Sequence, residues 1–229
     1  MAAELSSDKI DSALSALDDE FARSEHLPSV APIRFMVSSD KLAVKLFKAR
    51  STTENRYYFV DPNVHVEEVY RKEIEKAVER VSKARGLSDD WFDDECKALT
   101  PDGKRMGLFL QAVNQDTVVF KGAHLVLYAA PVDWQLERKL CRITTGTDKI
   151  LEANDIKDAV ALIKLIKGEG PPLSRLYFDK LDYTGWKLPL SLGIAKVRRE
   201  YARIYGEAGI ASSAGDTILA VVFCLFEVV

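Results

Sequence analysis

Cysteine and histidine are scarce in this chain, three of each in 229 residues. Cys96, Cys141 and Cys224 are odd in number, widely separated and form no C-x-x-C pair. A disulfide framework or a zinc knuckle is therefore not expected, and a reduced, cytoplasmic protein is. His26, His65 and His124 are too scattered to announce a metal site, and His124 reads as a satisfied strand histidine rather than a base. The sequence lacks a G-x-S-x-G elbow, a P-loop and a dinucleotide fingerprint. Cys141 has no histidine near it in sequence, so a thiol nucleophile is not expected. Neither charge sign dominates. With 32 Lys and Arg against 35 Asp and Glu the net charge is −3, which argues against wholesale nucleic-acid binding. No apolar run reaches the roughly 20 residues that span a bilayer. "TILAVVFCLFEVV", residues 217–229, is shorter than that and reads as a tail packed against the domain. The start, "MAAELSSDKIDSALSALDDEF", is acidic and lacks the basic opening of a signal peptide.

What is present is an ordinary globular composition, 47% hydrophobic and 29% charged, enough for one large domain or two small ones with a sizeable core. Ile10, Leu14, Leu17 and Phe21 recur at helical spacing behind Ser6 or Ser7, predicting a helix over about 8–24. After the loop "LPSVAP", "IRFMV" (33–37) predicts a buried strand. Ser38, Ser39 and Asp40 then cap a helix of about ten residues, and Arg56–Asp61 predicts a second strand ended by Pro62. Val66, Tyr70, Ile74, Ala77 and Val81 predict a long helix over about 65–85, closed by Gly86. "SDDWFDDECKAL" reads as a short acidic helix behind Ser88. Its Asp89, Asp90, Asp93, Asp94 and Glu95 suit a first helical turn and lack an EF-hand pattern. "MGLFLQAV" and "DTVVFKGAHLVLYAA" predict two or three strands with a turn near Lys121-Gly122. A helix carrying Val132, Leu136, Leu140 and Ile143 follows Pro131. Asn154 caps another, with Ile156, Val160, Ile163 and Ile166 inward and Gly168 at its end. "GEGPPLS" is the linker candidate, and helical segments follow around 172–182 and 190–206. This order predicts an α+β fold: a small mixed β-sheet flanked by helices, then a helical C-terminal part. The expected division is 1–29, an N-terminal helix packing on the core; 30–168, the mixed domain; and 169–229, the helical region with its apolar tail.

Several pieces, in order, carry a resemblance. "FMVSSDKLAVKLF" is a strand, a two-residue turn and a helix. "TENRY", Thr53 to Tyr57, opens the next strand. "GLSDDWFDDECKAL", "APVDWQLERKL" and "NDIKDAVALI" follow. Over roughly residues 30–167 this resembles the nucleotidyltransferase superfamily, in particular its small AbiEii-toxin-like branch. Ser38-Ser39 replace that family's glycine turn, and "TENRY" falls on its T-x-D-x-D motif with Asn55 and Tyr57 at the two aspartate positions. Lys139 matches the lysine of its Lys-Leu pair. Asp155 and Asp158 match the acids of its (K/R)-D-x-x-D-h-x-x-L segment, where Asn154 stands for the basic residue.

The resemblance implies Mg²⁺-dependent nucleotidyl transfer, which needs carboxylates to hold a hard divalent ion on the substrate phosphates. Asn55 offers one neutral oxygen, and Tyr57 a phenol whose ordinary pKa is about 10. A pseudoenzyme is the expectation: no cofactor, no metal at the degenerate positions Asn55 and Tyr57, and Mg²⁺ only if the protein is active after all. Glu54 points to the opposite strand face from residue 55. Asp61 shares the face of Tyr57 about 13 Å further along, so it is the weak metal candidate. Ser38 and Ser39 at a helix start can cap that helix or bind a phosphate. Lys41, Lys45 and Lys48, with Arg50 beyond, form either a solvated stripe or a guide for a polyphosphate. Lys139, Asp155 and Asp158 are the catalytic candidates, read equally as a remnant of the family's site or as an ion pair with Asp155 at a helix start. The functions expected are binding of a nucleotide or a protein partner without catalysis, active transfer to RNA or protein, or a pure protein-interaction module.

Overall fold

A computed structural model describes residues 7–39, 56–65, 67–88, 91–92, 100–146, 149–185 and 189–212. The helix expected after Ser39, with Lys41, Lys45, Lys48 and Arg50, lies outside them. So do Asn55, most of the acidic helix, Cys96, Cys224 and the tail 217–229. For Ser39 and Tyr57 only the backbone is described.

The chain divides into two units. The first comprises residues 1–131 together with Tyr183–Gly185. It opens with α1, Ser7–Ala22, and a 3₁₀ turn, Leu27–Val30. Strands β1, Ile33–Ser39, and β2, Arg56–Val60, follow. Next come α2, Pro62–His65, α3, Glu68–Arg85, and α4, Asp102–Gln115. Strands β3, Val118–Lys121, and β4, Leu125–Ala129, complete a four-stranded sheet of order β2-β1-β4-β3. β1 is antiparallel to β2 and parallel to β4, and β3 is antiparallel to β4. The sheet is therefore mixed, and the fold is α+β.

Why β1 is central is visible in its residues. Ile33, Phe35 and Val37 face one side and Met36 the other, and all are buried. A strand covered on both faces reads as a continuous apolar run. Phe35 meets Phe21 of α1, Tyr58 of β2 and Phe92, with ring centroids 6.1, 5.2 and 5.6 Å apart. Ile10, Leu14, Leu17 and Phe21 of α1 enter the same core, joined by Ile74, Ala77 and Val81 of α3. These are the positions that the helical spacing predicts. Gly86, at φ +60°, ends α3 and donates its N–H to the Ser82 carbonyl; an L side chain is strained in that conformation.

Two expectations in this unit are overturned. Ser38 and Ser39 do not form a turn behind the strand but extend it, their backbones paired with Tyr57 and Arg56 of β2. "MGLFLQAV" is not a strand but the body of α4, which buries Leu108, Phe109 and Ala112. A short apolar run fits both periods. The i, i+1, i+4 burial is helical, with Asp102 in the first turn complementing the helix dipole.

The second unit comprises residues 132–182 and 186–229. Its helices are α5, Val132–Thr145; α6, Lys149–Lys167; α7, Arg175–Asp179; and α8, Ser191–Tyr205. Leu136, Leu140 and Ile143 of α5, Val160 and Ile163 of α6, and Ile194, Val197 and Tyr201 of α8 are buried. The segment "GEGPPLS" does not run free: the Leu173 N–H donates to the Gly209 carbonyl, and the Leu173 carbonyl accepts from Ala211. Asn154 is not a cap, because α6 begins at Lys149. An Asn inside a helix costs only a few tenths of a kcal/mol relative to its neighbours on the propensity scale, so Ile150 and Leu151 carry the helix upstream of it. No helix among the described residues is long and apolar enough to cross a membrane.

Candidate functional site

Lys139 and Arg142 stand three residues apart on α5, and Asp155 and Asp158 stand three apart on α6. Each pair therefore shares one helix face. In the folded unit they form one network. Lys139 Nζ donates to Asp155 Oδ1 at 3.0 Å and to Asp158 Oδ2 at 2.6 Å. Arg142 Nε donates to Asp155 Oδ2 at 2.8 Å, and its Nη2 reaches Asp155 Oδ1, making a fork on one carboxylate. Asp155 and Asp158 are 4% and 2% exposed and Lys139 is 9%. The expected trio is thus brought together, with Asp155 inside α6 rather than at its start, so the helix dipole is not what places it.

Sequence reasoning missed Arg142. Its signal was the matching i, i+3 spacing against Asp155 and Asp158. Carboxylates this deep must be neutralised, since an uncompensated buried charge costs several kcal/mol. Two cations for two acids satisfy that requirement. Lys139 donates to both carboxylates, which suits a structural lock more than a group poised for substrate.

The second candidate lies in the sheet-bearing unit. Asp61 follows β2 and is 2% exposed. Its Oδ2 accepts from Arg34 Nη2 of β1 at 2.5 Å. Its Oδ1 accepts from the Asn63 N–H and from Asn63 Nδ2, both at 3.0 Å. Asp61 thereby caps α2, with Pro62 in the first helical position, where its missing N–H costs nothing. Arg34 in turn lies over the Phe109 ring, 5.7 Å from its centroid. Both oxygens of Asp61 accept hydrogen bonds, from Arg34 and from Asn63. Ser38 pairs with Tyr57 in the β1–β2 register, and Ser39 pairs with Arg56. Ser38 and Ser39 are therefore strand residues rather than a turn, and Ser38 stands beside the second motif position on the adjacent strand.

A third cluster was not foreseen. Donor atoms of Glu25, His26 and Glu73 lie within 4.8 Å of one another. His26 Nδ1 sits 2.6 Å from Glu73 Oε1. The His26 N–H donates to Glu73 Oε2 at 3.1 Å, and the Ser24 hydroxyl reaches the same oxygen. The hydrogen bond that the His26 ring donates to the Glu73 carboxylate raises the His26 pKa above its ordinary value. Burial works against the Glu73 carboxylate, yet the His26 ring and the N–H groups of His26 and Leu27 bring its pKa below the usual range. This arrangement latches the turn after α1 onto α3. Cys141 is buried, and desolvation pushes its thiol up to about 11, so it is not a thiolate at neutral pH.

Residues 33–208 match the family described as a domain of unknown function, DUF7582. The chain belongs to that family. No curated protein and no solved structure matches it.

Proposed function

We propose that this protein is a cytoplasmic, nucleotidyltransferase-like pseudoenzyme that works by binding a nucleotide rather than by transferring one. One observation carries the reading: the candidate carboxylates that could replace the missing aspartate pair are spent inside the protein. Asp61 is held by Arg34 and Asn63, and Asp155 and Asp158 by Lys139 and Arg142. Mg²⁺ is usually held by one or two carboxylates, and recruiting any of these would cost it an existing ion pair with Arg34, Lys139 or Arg142. The mixed sheet with Ser38 beside residue 57 supports a nucleotide-binding scaffold of the kind the resemblance implies. Binding then rests on Ser38, Ser39, Lys41 and Lys45, with the phosphates neutralised by lysines in place of a metal.

Isothermal titration with nucleoside triphosphates tests this. Binding of equal strength with and without Mg²⁺, weakened in Lys41→Glu and Lys45→Glu, is the expected result. Binding that requires Mg²⁺, or transfer of label from the triphosphate to RNA or protein that is lost in Asp61→Ala, contradicts it. A protein-interaction role is the second reading. It is favoured by the exposed Ile150, Leu151, Leu165 and Leu176, the first and last of which are 76% and 70% exposed.

A further inference from the structure

Helices α6 and α8 border a cleft of about 470 Å³. From α6 come Glu152, Ala153, Ile156 and Lys157, and from α8 come Lys196, Arg199 and Glu200. The spacing explains the convergence: 152 and 156, and 153 and 157, are i, i+4 pairs on α6, and 196, 199 and 200 share one face of α8. Three cations and two carboxylates line the cleft, and the carboxylates already have partners. Glu152 pairs with Lys196. Both oxygens of Glu200 are held by Arg203, at 2.8 and 2.7 Å.

That leaves Lys157 and Arg199 without an ion pair or hydrogen bond among the described residues. Both line the same cleft. The Glu200 carboxyl is held below its usual range first by the Arg203 hydrogen bond, and the fields of Lys157 and Arg199 add to it. Both side chains are exposed, so their charges are open to an anion entering the cleft from solvent, which the local excess of positive charge attracts. A guanidinium presents a planar fork to phosphate oxygens, and an ammonium adds a point charge. Ile156 and Ala153 supply a short apolar wall beside the charges, and the volume suits a small molecule.

We propose that this cleft binds the phosphate group of a small phosphorylated molecule, with Arg199 and Lys157 as its ligands and Lys196 held alongside by Glu152. The site is built wholly from the second unit and does not depend on the nucleotidyltransferase resemblance or on Lys41 and Lys45.

The test is calorimetric titration of the full chain with inorganic phosphate, adenosine monophosphate and adenosine, all without divalent ions. Phosphate and the monophosphate bind and adenosine does not, if the phosphate is what is recognised. In Lys157→Glu/Arg199→Glu, affinity for both phosphate ligands falls about tenfold or more, the scale of losing two charge-assisted contacts, while circular dichroism stays unchanged. The control Lys72→Glu/Lys83→Glu shifts the net charge equally and keeps full affinity. Adenosine binding as tightly as its monophosphate overturns the proposal. Retained affinity in the cleft variant, or equal loss in the control, does so too. All titrations are run in the Lys41→Glu/Lys45→Glu background as well as in the parent, so that binding at the proposed nucleotide site is not scored as affinity in the cleft and the two proposals fail separately.

Discussion

At the scale of single residues, buried charge decides most of what is distinctive. Lys139 serves two acids at once, so truncating it takes the ammonium from Asp158 and leaves Asp155 to Arg142. Lys139→Ala is expected to lower unfolding stability by about 3–5 kcal/mol, the usual cost of leaving a buried charge uncompensated. Urea denaturation measures it; a loss below about 1 kcal/mol means that the network is solvated and not a lock. The His26–Glu73 latch behaves differently because His26 is exposed. His26 binds its proton more tightly when folded, so its contribution is complete below its ordinary 6.5 and is lost as pH rises through the raised value. Glu73 contributes fully above its ordinary 4.5 and loses that as pH falls through the lowered value. The latch is therefore strongest between these two ordinary values. The melting temperature of His26→Gln should accordingly lose part of the decline that the parent shows from pH 6 to 8. Identical pH profiles would mean that His26 does not sense its neighbour.

At the scale of elements, packing separates what was legible from what was not. The helices at α1, α3 and α5 and the strand "IRFMV" were readable because one strong period, or one unbroken apolar run, admits a single structure. α4 was misread because "MGLFLQAV" satisfies both periods, and the contacts that decide between them come from outside the segment. The start of α6 was misplaced because Asn154 offers a capping side chain that the fold does not use. Close helix approach was equally invisible in sequence. A Cβ on Gly193 of α8 would stand 2.7 Å from the Leu140 carbonyl oxygen and 2.9 Å from Thr144 Oγ1 of α5. Gly193→Ala is expected to destabilise by roughly 1–3 kcal/mol through overpacking, against about 1 kcal/mol of intrinsic helix gain. Thermal unfolding reads the balance. A stabilised variant would show that α5 and α8 separate without cost.

At the scale of the whole molecule, composition and element order sufficed for the α+β class and the mixed sheet. The resemblance singled out Lys139, Asp155 and Asp158, and the i, i+3 spacing of the two acids survives into the folded network. Arg142, Arg34 and Asn63 were not singled out, because their roles arise only when separate helices or strands meet. The same is true of Lys157 and Arg199, which look like solvated charges until α6 and α8 lie side by side. The functional reading turns on whether anionic oxygens are free near the second strand. Diffraction at the manganese edge, on crystals grown with Mn²⁺ and a nucleoside triphosphate, tests this most directly. The account predicts no anomalous peak beside residues 54–61, with Asp61 still bonded to Arg34 and Asn63. A manganese ion seated there on side-chain oxygens and triphosphate would contradict it.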